Sequence, residues 1–99
     1  MVTLYTASAY ITFDSSECRS LKEKRSAIRS LMDKAKNHFT AAAFAEVGDA
    51  DQTQRFSIGF SVIANDETLV RTMLDKIIQY LEENSFRSIL QSHAEIYAL

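Results

Sequence analysis

The spacing of apolar residues switches back and forth between every second position and every third or fourth. The order of those switches limits what the chain can become. Between Gln54 and Ala64, Phe56, Ile58, Phe60 and Val62 alternate with Arg55, Ser57, Gly59 and Ser61. That is a strand with one buried face. Just beyond it, Val70, Met73, Leu74, Ile77, Ile78 and Leu81 form one stripe of a helix. Asn65 reads as the N-cap of that helix, with Asp66 and Glu67 well placed for its dipole.

The first half repeats the alternation of periods. Val2 to Phe13 is β-prone, and Ala7, Ala9, Ile11 and Phe13 share one side. Asp14 to Cys18 is a loop. Ser20-Leu21-Lys22-Glu23 has the form of a capping box, in which Ser20 caps the helix and Glu23 reaches back. Leu21, Ile28, Met32, Ala35 and Phe39 then fall at helical spacing, so the first helix runs from about Leu21 to His38. Thr40 to Val47 is a strand of small residues around Phe44, Gly48 to Asp51 a turn, and Ser85 to Tyr97 the last strand. The chain has no proline and only two glycines, so Asp, Asn and Ser clusters must make the turns.

The order βαββαβ predicts an α+β, ferredoxin-like fold: a four-stranded antiparallel sheet with both helices on one face. The competing topology is a pair of unrelated β-α units with a swapped last strand. At 99 residues, residues 1–99 read as one domain.

Charge narrows the function. Eleven basic residues oppose thirteen acidic ones, for a net charge of −2, so the chain as a whole does not attract nucleic acid. A local basic patch is another matter, because seven of the eleven lie between Arg19 and Lys36. At 100° per residue, Arg25, Lys36, Arg29 and Lys22 form a stripe about 60° wide. Lys24 falls elsewhere, in the apolar sector with Ile28 and Leu31, where a lysine needs a partner or must snorkel outward.

Cys18 stands alone, which excludes an internal disulfide and a multi-cysteine zinc site and fits a reducing compartment. No apolar run approaches a membrane span, and the amino terminus lacks the basic region of a signal peptide. The expectation is a cytoplasmic protein that makes no membrane contact.

The predicted topology brings the start of the first helix to the same end as the hairpin after the second strand. The candidate binding residues are therefore Ser20, Lys22, Lys24, Arg25 and Arg29 on the helix, with Glu46, Asp49, Asp51 and Arg55 on the hairpin. Lys24 is expected to meet a carboxylate of the Glu46–Asp51 segment.

Ser20-Leu21-Lys22-Glu23-Lys24-Arg25, then Ala45-Glu46-Val47-Gly48-Asp49 and Asp51, Gln54-Arg55, Gly59 and Asn65-Asp66, resemble the YlxP-like family of small bacterial proteins of unknown function. The likeness spans nearly the whole chain in the same order and implies a ferredoxin-like fold. Genes of that family often neighbour those of translation and ribosome maturation, which implies an RNA or ribosome connection. The chain departs from the family pattern in two loops. Ser15-Ser16-Glu17-Cys18 replaces a Pro-Gly-type loop, and Gln52-Thr53 replaces an aromatic after the hairpin acids.

Other chemistries find little support. His38, His93 and Cys18 show no catalytic spacing. The glycine-rich phosphate loop of acylphosphatases, which share the fold class, is absent. Glu46, Asp49 and Asp51 offer oxygen ligands, but in too short a loop for an EF-hand; no metal or cofactor is expected. Base stacking on the open sheet face is also disfavoured. Phe56, Ile58 and Phe60 point toward the helices, which leaves Tyr10 alone as a platform.

The leading reading is a non-enzymatic binding module, an RNA- or ribosome-associated accessory factor that contacts phosphates through the basic first helix. The alternative is a small-molecule or anion-binding domain, with or without an enzymatic activity, using Ser20, Lys22 and Arg25 at the helix start. The open face of Ser, Thr, Gly and Tyr, or the exposed edge strands, favour a homodimer.

Overall fold

The computed structural model describes residues 1–48 and 52–99. Its elements follow in the order β1 (Tyr5–Asp14), α1 (Leu21–His38), β2 (Ala43–Glu46), β3 (Arg55–Ala64), α2 (Glu67–Ser85) and β4 (Ile89–Ala98). The strands form one antiparallel sheet in the order β2-β3-β1-β4. This is the ferredoxin-like arrangement, and it excludes the swapped alternative.

β1 and β3 occupy the middle of the sheet because their alternating residues fill the same layer. Ala7, Ala9, Ile11 and Phe13 pair across the ladder with Val62, Phe60, Ile58 and Phe56, all of them buried. The Phe13 and Phe56 rings stack at 5.1 Å. Both helices cover this face, α1 through Ile28, Leu31 and Ala35 and α2 through Val70, Leu74, Ile77 and Leu81. Burying one such side chain is worth roughly 1.5–3 kcal/mol.

The capping residues set where each helix begins. The Ser20 hydroxyl accepts the Glu23 N–H at 3.1 Å, and the Glu23 carboxylate accepts the Arg19 N–H at 3.3 Å. For α2 the cap is Asp66, not Asn65: its carboxylate accepts the Leu69 N–H at 2.9 Å. β3 runs to Ala64, so the chain needs both residues to turn before the helix starts. α2 ends on Phe86 in the left-handed region at φ 55°, a costly place for a residue with a bulky side chain.

Three strand boundaries differ from the sequence pattern. β1 starts at Tyr5 rather than Val2. β2 keeps only Ala43–Glu46 of the expected Thr40–Val47 stretch. β4 begins at Ile89 because α2 continues through Ser85, and Leu90 is an extra residue between the pairs Thr12↔Gln91 and Phe13↔Ile89. The β4 side chains lie mostly in solvent.

The cap assignment is testable by urea unfolding. Asp66→Ala should cost about 1 kcal/mol, whereas Asn65→Ala should change stability by less than about 0.5 kcal/mol. The reverse ranking would return the cap to Asn65.

Candidate functional site

Four backbone and side-chain contacts gather one end of the molecule. The Ser15 N–H donates to the Gln54 carbonyl and the Ser15 hydroxyl to the Thr53 carbonyl, both at 2.8 Å. The Asp14 N–H donates to the Ser88 carbonyl at 2.9 Å, and Lys24 Nζ donates to the Gln52 carbonyl. The start of α1, the strand side of the hairpin and the end of α2 therefore do meet, as the topology requires.

Lys24 is only 1% exposed and sits beside Ile28 on the buried side of α1. Its ammonium is tied to the hairpin backbone at Gln52. Glu46 is exposed and forms no ion pair among the described residues; Asp49 and Asp51 lie outside them. Lys24 is thus a clamp between helix and hairpin, whose charge is spent inside the fold.

The rest of the basic set faces outward. Lys22, Arg25, Arg29 and Lys36 are exposed, and among the described residues none has a carboxylate oxygen within 4.0 Å. Tyr80 of α2 reaches the Lys34 carbonyl at 3.4 Å, which puts α2 on the Lys34 side of α1. The stripe lies on the opposite flank, above the β2 edge of the sheet. Arg55 stands apart from it. It is exposed on the open face, opposite Asp14 in the β1–β3 ladder. Asp14 itself is held below the usual carboxylate range by the Ser16 N–H at 2.8 Å, aided by Arg87.

Ser20 is occupied by its capping role, and the Glu23 carboxylate already fills the first turn. An incoming anion would meet that negative charge, which weakens the anion-site alternative.

Tyr10 lies on the open face of the sheet as the alternation predicts, but not alone there: His93 and Tyr97, which the sequence pattern passed over, join it. A trough of about 570 Å³ lies there, floored by Ala45, Gly59 and Ser61 and walled by Tyr10, His93 and Tyr97. Tyr10 and His93 are register partners with ring centroids 5.9 Å apart. The Tyr97 hydroxyl donates to Glu95 at 2.8 Å. That bond, aided by His93, holds the Glu95 carboxyl below the usual carboxylate range, and the Glu95 charge pushes the Tyr97 phenol above its ordinary value. Only the β1–β4 register reveals this grouping, and the bulge at Leu90 hides that register from the sequence. The other potentially reactive groups are structural: Cys18 is buried, and His38 stacks on Tyr80 at 4.5 Å.

Among the described residues no His, Cys, Asp and Glu cluster suits a metal ion, and no helix is long and apolar enough to cross a membrane.

Replacing Lys24 with methionine should lower unfolding free energy by about 1–3 kcal/mol, because the part-buried bond that ties α1 to the Gln52 carbonyl is lost. Gln at Lys22, Arg25 or Arg29 should stay within about 0.5 kcal/mol. Equal effects at all four positions would remove the distinction between clamp and stripe.

Comparison with known proteins places the chain. The model of the family described as "Protein of unknown function (DUF503)" matches residues 6–94, and the chain belongs to that family. No curated protein matches it. Among solved structures it is similar to the de novo designed protein Foldit4, at 12% identity and TM-score 0.47 over 97% of this chain and 96% of that one. It is also similar to the de novo designed protein LFR1 1 with ferredoxin fold, at 13% identity and TM-score 0.42 over 96% of this chain and 86% of that one.

Proposed function

We propose that this DUF503 chain is a non-enzymatic, YlxP-like binding module of the cytoplasm. It acts as a homodimer and grips the phosphates of RNA, on or near the ribosome, through Lys22, Arg25, Arg29 and Lys36. The observation that carries this reading is the separation of charge. α1 holds six Lys and Arg residues against Glu23 and Asp33, although the chain is net negative. One of the six, Lys24, is consumed by the fold. The four in the stripe keep their charge for a partner.

The stripe spans fifteen residues of helix, from Lys22 to Lys36, about 21 Å end to end. A rigid row of that length presents several cations to successive phosphates without further ordering of the backbone. Phosphate contact of this kind gives affinity without base readout. The neighbourhood of translation genes implied by the YlxP resemblance points to the same class of partner.

Binding to a single-stranded RNA oligonucleotide, measured by fluorescence anisotropy across a salt series, tests the proposal. Each phosphate contact should contribute about −0.7 to the slope of log K against log salt, so four give about −2.8. Exchanging all four residues for Gln should flatten that slope. Tight binding that ignores salt, or an unchanged slope in the Gln variant, would overturn it.

A further inference from the structure

We propose that the second copy of this chain docks antiparallel along the free edge of β4, with Ala94 on the two-fold axis and His93 opposite the partner's Glu95. The proposal rests on the homodimer reading above and adds its surface and register.

β4 closes one side of the sheet, so among the described residues one row of its backbone N–H and C=O groups faces no strand. Proteins usually protect such an edge by keeping it short, placing Lys or Pro along it, or bulging it. The opposite edge, β2, is protected by length, since it has four residues. β4 has ten, and from Gln91 to Ala98 it contains neither Lys nor Pro. Its bulge at Leu90 marks the end of that straight run rather than interrupting it.

The open face of the sheet is a poorer site for a second copy. Its centre is a trough of about 570 Å³. Two such faces in contact would enclose two unfilled troughs, and cavities of that kind are destabilising. Edge pairing leaves the trough open.

Charge selects the register. Gln91–Ala98 has its midpoint between Ala94 and Glu95, so a two-fold axis passes through one or the other. An axis through Glu95 sets two carboxylates against each other, which is unfavourable. An axis through Ala94 sets His93 against the partner's Glu95, and Glu95 against the partner's His93. The two side chains project from the same sheet face, are 58% and 55% exposed, and approach to 3.5 Å within one chain. Each carboxylate would then lie between two imidazoles. The same register puts Gln91, whose amide donates to the Tyr10 hydroxyl at 2.9 Å, against the partner's Tyr97. The aromatic wall of the trough thereby continues across the axis into the second copy.

Single cysteines on the helix-side positions of β4, of which Ser92 and Ala94 are exposed and Ile96 is half-buried, test this in the full-length chain, with the unmodified protein, whose Cys18 is buried, as control. Ala94→Cys should form a disulfide-linked dimer on mild oxidation, because the two Cα atoms would be about 4.5–5.5 Å apart. Ser92→Cys or Ile96→Cys alone should not link, since each lies about 13 Å from its own copy. A mixture of those two variants should link. Light scattering at tens of micromolar separates the two levels of the idea. A monomer mass for the unmodified chain removes the homodimer reading itself. A dimer mass without an Ala94→Cys link, or with Ser92→Cys linking to itself, keeps two copies but overturns the β4 register.

Discussion

The antiparallel ladder between β1 and β3 fixes the position of everything else. Ten residue pairs run in unbroken register from Tyr5↔Ala64 to Asp14↔Arg55. A slip of one residue would turn Ala7, Ala9, Ile11 and Phe13 to solvent. With that ladder set, both helices must lie on the side of Phe56, Ile58, Phe60 and Val62. The other side is left to Tyr10, Gly59 and the Ser and Thr residues. The open trough and the covered core are thus two faces of one alternation.

α1 carries two kinds of cation, and the helix geometry separates them. Lys24 lies in the same sector as Ile28, Leu31 and Ala35 and is bound inside the fold by the hairpin backbone. Lys22, Arg25, Arg29 and Lys36 lie about a quarter of a turn or more from the centre of that sector and stay in water. The first group holds the helix against the sheet end, and the second keeps a charged row facing outward. A flexible loop with the same composition would lose that row to conformational entropy before any partner could use it.

Most of this was legible in the residues. The period-two runs located β1 and β3, and the capping box located the start of α1. The helical wheel singled out Lys24 as the basic residue that needed an internal partner. The misreadings have physical causes. Asn65 and Asp66 are both good caps, and only the length of β3 chooses between them. The Ala-rich stretch before Gly48 has no alternation to mark its ends, so β2 proved shorter than the pattern suggested. The grouping of Tyr10, His93 and Tyr97 depends on a strand register that Leu90 shifts by one residue. No spacing rule along a single strand carries that information.

The most direct test of the outward-facing row is the location of RNA-induced amide shifts in the NMR spectrum of the chain. Addition of a single-stranded RNA oligonucleotide should shift amides along α1 from Lys22 to Lys36 and leave those of Tyr10, Gly59 and Tyr97 in place. Shifts centred on the open face, with α1 unmoved, would contradict the account.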